Sequence, residues 1–323
     1  MEPLWICCGW LIDGHGDDIK ERVLLKIEKN HVTALHPNHS TPAPCWEKGS
    51  VLDLRDGTII PPLVDCHVHL ALSGGANPSI GKKQQTHLYE GAEPLLAKHI
   101  AASLKAGVFA LRDGGDCHGH TLHFKRKRLE HLPFPLFVKV TGKAWHSPNR
   151  YGKFLGQTPS RGESLAQAIG RQAADCDHVK VVNSGLNSLK VFGKETPPQF
   201  SGQQLQLAFR VAKKKKYRIM VHANGKRAVK DSVHAGCDSI EHGFFMGNDN
   251  LDLMSQRRTH WVPTAMTMKA LAGLTAHKPL EEKVALKNFE SQLEQISRGF
   301  KMGVPIALGT DSGSPGVHHG LAY

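Results

Sequence analysis

From Thr58 onward the chain repeats one unit: a short apolar run, a polar loop, then a stretch of helical period. Apolar runs at 59–69, 108–112, 136–141, 178–182, 218–222, 239–242, 260–263 and 306–309 read as strands, and the intervals between them are long enough for helices. Strands that alternate with helices form parallel sheets, because each crossover must carry the chain back along the sheet before the next strand begins. Eight such runs predict an α/β chain closed into a TIM-like (β/α)8 barrel. The spacing agrees: between His67 and Asp311 the chain spends about 35 residues per unit, near the ~31 of a 250-residue barrel. A doubly wound sheet would normally carry a glycine-rich phosphate turn after its first strand, and this chain has none there.

The helical stretches carry their own signals. Ser201-x-x-Gln204 is a capping box, and Leu205, Ala208, Phe209 and Ala212 follow it on one stripe. Over 224–235, Ala228, Val229, Ser232 and Val233 share a face that Gly236 terminates. Residues 1–58 have a different texture, with short strands at 5–11, 23–27, 31–35 and 50–54 separated by Asp13-Gly14, Lys29-Asn30 and a proline-rich loop at 36–44. The predicted organisation is a partial β-sandwich domain over 1–58 and a barrel domain over 59–323.

Composition excludes several classes. At 323 residues the chain can bury a large core without disulfides. Its longest apolar run, near the N-terminus, is interrupted by Gly9 and too short to span a bilayer. No basic start and small-residue cleavage site mark a signal peptide. Seven cysteines, none in a C-x-x-C pair, read as free thiols in a reducing cytoplasm. The 41 basic and 29 acidic residues give +12, with dense basic runs at Lys213–Lys216 and Lys125–Arg128. No aromatic side chains interleave with these runs for base stacking, so they read as solvated helix ends rather than a nucleic-acid surface. The summed field still favours anionic small molecules. A homo-oligomer is compatible with the sequence.

The chemistry concentrates at the ends of the predicted strands. Within Pro61-Pro62-Leu63-Val64-Asp65-Cys66-His67-Val68-His69, strand alternation turns His67 and His69 to one face. His222 ends a later run, His242 the next, and Asp311 the last. An isolated H-x-H is common in a chain with 21 histidines. Four imidazoles and a carboxylate, each placed before a loop at a strand's C-terminal end, are far less ordinary. That is where barrel active sites lie, and the donor set suits zinc or a similar divalent ion.

The ordered set His67-x-His69, Lys180, His222, His242, Asp311 resembles the metal-dependent amidohydrolase superfamily. The segments His178-Val179-Lys180-Val181-Val182-Asn183-Ser184-Gly185, Met220-Val221-His222-Ala223-Asn224-Gly225, Ser239-Ile240-Glu241-His242-Gly243 and Ala307-Leu308-Gly309-Thr310-Asp311-Ser312-Gly313 narrow the resemblance to its imidazolonepropionase-like branch, which includes prolidase-like dipeptidases. The resemblance implies two divalent ions, with zinc the expected metal. His67, His69 and Asp311 would hold the first, His222 and His242 the second, and a carbon dioxide-derived carbamate on Lys180 would bridge them. An ammonium has no lone pair to offer a metal, whereas a carbamate has two anionic oxygens. Lys190 and Lys194 lie nearby, in a loop-like stretch.

The implied reaction is hydrolysis of a C–N bond in an amide, dipeptide or cyclic amide by a metal-bridging hydroxide. Metal binding brings the pKa of water from about 16 to about 7. Asp311 would act as general base and then acid, and His146 would polarise the substrate carbonyl. Tyr151 and Arg150, in the loop after His146, are candidates for the pocket wall, and Trp261-Val262-Pro263-Thr264 for packing. Family members continue past the last barrel strand with a helix and a segment returning to the small β-domain. The chain stops twelve residues after Asp311, so the expectation is a C-terminally incomplete member. Two other readings stay open: a mononuclear deaminase or hydrolase with unmodified Lys180, and a non-catalytic metal-binding protein.

Overall fold

The computed structural model describes residues 2–16, 18–37, 50–84, 86, 88–131, 136–172 and 174–321. The chain divides into two compact units, Met1–Pro62 and Leu63–Tyr323. The first contains β1 (Leu4–Leu11), β2 (Lys20–Glu28), β3 (His31–His36) and β4 (Ser50–Ile59). They form one sheet in the order β3-β2-β1-β4, antiparallel except for the β1–β4 pair. Most of the 36–44 loop, and Cys45, lie outside the described residues.

The second unit alternates strands and helices. Its strands are β5 (Leu63–Val68), β6 (Val108–Asp113), β7 (Phe137–Val140), β8 (Ala144–Trp145), β9 (Gly156–Gln157), β10 (His178–Val182), β11 (Arg218–Ala223), β12 (Ser239–His242) and β13 (His260–Val262). Between them run α1 (Pro78–Gln84), α2 (Tyr89–Lys105), α3 (His120–Arg128), α4 (Leu165–Gly170), α5 (Gly202–Lys214), α6 (Lys226–Ala235) and α7 (Asn248–Arg257), and α8 (Met266–Leu274) and α9 (Pro279–Lys301) follow the last strand. Every strand pair in this unit is parallel, in a three-stranded sheet β5-β6-β7 and a six-stranded sheet β13-β12-β11-β10-β8-β9.

Residues 305–312 run between the two sheets. Ala307 N donates to Trp261 O on β13, while Cys66 N on β5 donates to Leu308 O. On the opposite flank, Asp177 N donates to Val140 O at the end of β7.

Two expected strands differ from what forms. The run 59–69 is broken: β4 ends at Ile59 and β5 starts at Leu63, because Pro61 and Pro62 have no N–H for a ladder. The last run, 306–309, forms only isolated bridges, Trp261 to Ile306 and Val68 to Ser312. Pro305 withholds a donor at its start, and Asp311, at φ 60°, leaves the extended region at its end.

The helices form as their signals require. Ser201 and Gln204 make both bonds of the capping box on α5, and Leu205, Ala208, Phe209 and Ala212 are buried in the main core. Lys213–Lys216, by contrast, are exposed at that helix's end. Lys125, Arg126 and Arg128 pair with Asp177, Asp175 and Glu93. The six described cysteines are free thiols. No helix among the described residues is long and apolar enough to cross a membrane.

These roles predict an order of stability effects. Leu205→Ala should cost about 2–5 kcal/mol by opening a core cavity, and Ser201→Ala about 1 kcal/mol by freeing one helix-end N–H. Urea denaturation of the two variants checks the ranking. Equal or reversed losses would mean that α5 is not docked by that stripe.

Candidate metal centre

His67 on β5 and His69 one residue beyond it project to one side, as alternation requires, and both are buried. Asp311 reaches the same point from the far end of the chain. Its Oδ1 lies 3.5 Å from Nε2 of each histidine. Ligand atoms of these three residues all fall within 4.8 Å of one another. The His242 ring lies 4.8 Å from that of His67 and 4.5 Å from that of His222. Lys180, in the middle of β10, lines the same cavity as these four histidines and Asp311.

Each imidazole is oriented by a hydrogen bond. His67 donates Nδ1–H to Glu241 Oε2 at 2.7 Å, and His69 donates Nδ1–H to Gly115 O at 3.1 Å. His242 Nδ1 bonds Thr264 Oγ1 at 2.6 Å, and His222 Nε2 bonds Gly185 O at 3.3 Å. With one nitrogen engaged, the other keeps its lone pair, the arrangement by which neighbouring groups fix a metal-binding histidine. His67 Nε2, Lys180 Nζ and Asp311 Oδ1 are buried without a hydrogen-bond partner among the described residues. Leaving buried polar atoms unpaired is costly unless something else satisfies them. Neutral imidazoles and a carboxylate are a donor set that fits a divalent ion.

The backbone is shaped around this point. A Cβ on Gly309 would lie 2.2 Å from Val262 Cγ1 and 3.0 Å from His67 Cβ. A Cβ on Gly114 would lie 2.6 Å from His69 Cε1, so only glycine lets these segments approach the two histidines. His242 and Asp311 both sit at positive φ, 66° and 60°, a conformation costing on the order of 1–3 kcal/mol in a residue with a side chain. Asp311 N donates to His67 O at 2.7 Å, and Gln292 of α9 donates to His242 O, which holds both strained residues in place.

Several positioning residues had no expected role. Asp65 Oδ1 accepts from His67 N and from Thr310 N, tying β5 to the segment that carries Asp311. Glu241 accepts from Arg112 Nη2 at 2.8 Å as well as from His67. Asp113 caps Leu70 N and Gly115 N beside His69. Only the adjacency of Asp65 and Glu241 to ligand-type histidines was a signal in the sequence.

His146 stands apart. Its Nδ1 bonds Ser147 O, and it is absent from the residues lining the cavity. Arg150 likewise turns away, donating to Pro197 O. Tyr151 of that loop does enter the cavity wall, with its ring 5.3 Å from that of His222. Burial raises the Tyr151 phenol well above its ordinary value, so it remains a donor. The cavity is about 410 Å³, and Leu72, Phe154, Leu186, Phe244, Met268 and Leu271 give it a mainly apolar wall.

Burial also sets the charge state. It holds His67 and His242 well below the ordinary imidazole value, His69 at about 4, and His178, His222 and His319 at about 3. An unfolded histidine protonates near pH 6.5. Below that, the unfolded chain takes up protons that the folded one refuses, and stability falls with pH. Burial raises Asp113 to about 7 and raises Asp311 in the same direction, which works oppositely down to about pH 4. Six imidazoles outweigh two carboxylates. Metal-free protein should therefore lose stability from about pH 6.5 to about pH 4.5, at up to ~1.4 kcal/mol per pH unit for each unbalanced imidazole. Urea midpoints across that range test this, and a midpoint that rises on acidification contradicts it.

Comparison with known proteins identifies the family. Proteins of Mycobacterium tuberculosis and Mycobacterium bovis, both of uncharacterised function, are 26% identical over 268 residues, 82% of this chain and 66% of theirs. The chain thus spans just under two thirds of their length. Aspergillus niger ochratoxinase is 27% identical over 143 residues, 43% of this chain and 29% of that protein. Its crystal structure superposes with a TM-score of 0.74 at 19% identity, covering 98% of this chain and 77% of that one. A Xaa-Pro dipeptidase with methionine bound in its active site gives a TM-score of 0.81 at 24% identity, over 98% and 81%. These likenesses show a shared fold. The amidohydrolase family pattern matches residues 58–321, and the chain belongs to that family.

Proposed function

We propose that the protein is a metal-dependent hydrolase that cleaves a C–N bond in a small amide or dipeptide. The observation that carries this reading is the convergence of His67, His69 and Asp311, from opposite ends of the unit, with the two unpartnered ligand atoms His67 Nε2 and Asp311 Oδ1 facing each other. In this reading the two parallel sheets, joined by residues 305–312 on one flank and at Val140–Asp177 on the other, are the wall of one (β/α)8 barrel. The N-terminal sheet is one layer of a small β-sandwich, in a domain ending near residue 58. The free thiols suit a cytoplasmic protein.

His67, His69 and Asp311 would hold one divalent ion, and His222 and His242 a second, with zinc the expected metal. Lys180 is buried in the same lining. Burial lowers its pKa, which makes available the neutral amine that reacts with carbon dioxide to give a carbamate and release a proton. Divalent ions in such a site supply Lewis acidity and bring the pKa of water near neutrality.

The chain's own groups then divide the work. Asp311 has its carboxyl pKa raised by burial, and its unpartnered Oδ1 faces the site. It can take a proton at that atom and return it to the departing amine. Tyr151, kept protonated by burial, offers its O–H to the substrate carbonyl, a role that the family resemblance led us to expect of His146. The apolar wall receives the acyl or side-chain portion and excludes water. A second reading has one specific observation behind it: only His67, His69 and Asp311 form a compact donor group among the described residues. A mononuclear hydrolase or deaminase with a free Lys180 amine would need no more.

A panel of Xaa-Pro dipeptides and N-acyl amino acids, assayed with zinc, manganese and cobalt forms, tests the proposal. Substrates with a bulky apolar residue should be turned over. Asp311→Asn should lower kcat by about 10²–10⁴-fold, with a smaller change in KM. Metal-loaded protein that hydrolyses none of them, or an Asp311→Asn variant at full rate, contradicts it.

A further inference from the structure

A second cavity, of about 770 Å³, opens at the other end of the same parallel strands. The candidate metal centre uses residues at the C-terminal ends of β5, β11 and β12. This cavity is lined instead by the first residues of β10, β11, β12 and β13, that is His178, Arg218, Ser239 and His260. Nothing in the proposed hydrolysis uses it. Its volume falls within the range of small-molecule sites.

Its charge is one-sided. The lining holds six basic side chains and only two carboxylates, Asp177 and Asp238. Both carboxylates are already neutralised: Asp177 by Lys125 and Lys139, Asp238 by Arg218. Arg112 is engaged with Cys66 O, Ser239 Oγ and Glu241. Lys213, Arg257 and Arg258 are left, with no ion pair or hydrogen bond from their side chains among the described residues. Lys213 lies in the last turn of α5, Arg257 ends α7 and Arg258 follows it, so three unneutralised cations from two chain segments line one cavity.

An independent observation concerns His178 in the same lining. It is buried, at 3% exposure. Its Nε2–H donates to Asp113 O at 3.1 Å, and its Nδ1 is buried with no partner among the described residues. An imidazole with Nε2 protonated has an acceptor at Nδ1, so the missing partner is an O–H or N–H donor. Cations that lack an anion and an acceptor that lacks a donor together describe a ligand with two features.

We propose that this cavity binds a small phosphorylated polyol or sugar, its phosphoryl group on Lys213, Arg257 and Arg258 and a hydroxyl on His178. The fit rests on charge and hydrogen-bond complementarity: guanidinium and ammonium groups are the usual partners of phosphate oxygens. It stands whether or not the metal centre is catalytic.

Isothermal titration with ribose 5-phosphate, inorganic phosphate and ribose tests it, on metal-loaded and metal-stripped protein alike. Ribose 5-phosphate should bind saturably at one site per chain in both forms, more tightly than phosphate, while ribose alone should not register. Lys213→Gln with Arg257→Gln should weaken it about tenfold or more, equivalent to ~1.4 kcal/mol or more. Should that pair fail to fold, Arg258→Asn gives the same reading. No saturable binding overturns the proposal. So does binding confined to metal-loaded protein and unchanged in the variants, which would place the phosphate on the metal centre.

Discussion

The carboxylate of Glu241 is the junction on which the candidate centre depends. It is fully buried, and it joins three strands: Arg112 of β6 and His67 of β5 both donate to it, beside Ser239 of its own β12. The guanidinium on one of its oxygens and the imidazole N–H on the other fix which nitrogen of His67 faces inward. Breaking such a pair by removing one member typically costs about 3–5 kcal/mol, because the charge left behind stays desolvated. The orientation of His67 is therefore held by an interaction that the fold cannot easily surrender.

The same logic extends around the site. Gly115 O, Gly185 O and Thr264 Oγ1 each engage one nitrogen of a neighbouring histidine, so four imidazoles present defined lone pairs to one cavity. Folding has placed His67 Nε2, Lys180 Nζ and Asp311 Oδ1 out of water with no hydrogen-bond partner among the described residues. It has also accepted left-handed backbone at His242 and Asp311. Desolvation and strain of this kind lower stability, and they concentrate where function requires a fixed geometry. A divalent cation held by His67 and Asp311 would satisfy the unpaired nitrogen and oxygen between them.

Much of this was legible in the residues, for reasons that also explain what was not. Strand alternation by itself put His67 and His69 on one side, and the strand–loop–helix rhythm gave parallel sheets. The capping box at Ser201 and the stripe behind it came from local chemistry and formed as read. The parts that escaped depend on tertiary contacts. Glu241 meets His67 across 174 positions of sequence, and Asp65 meets Thr310 across 245, distances at which no local pattern operates. The last run failed as a strand because a proline, a close-approach glycine and a left-handed aspartate fall within seven residues. His146 and Tyr151 sit five positions apart in one loop, and only the folded loop decides which of them reaches the cavity.

The central claim is that His67, His69, His222, His242 and Asp311, together with Lys180 of the same cavity, form one metal-binding centre. Elemental analysis of protein loaded with zinc and then dialysed against metal-free buffer tests it most directly, with Asp311→Asn and His242→Ala prepared alongside. The account predicts about two ions per wild-type chain, as the two donor sets require, and a loss of at least one in each variant. Wild-type protein that retains none, or variants that retain as much as wild type, would contradict it.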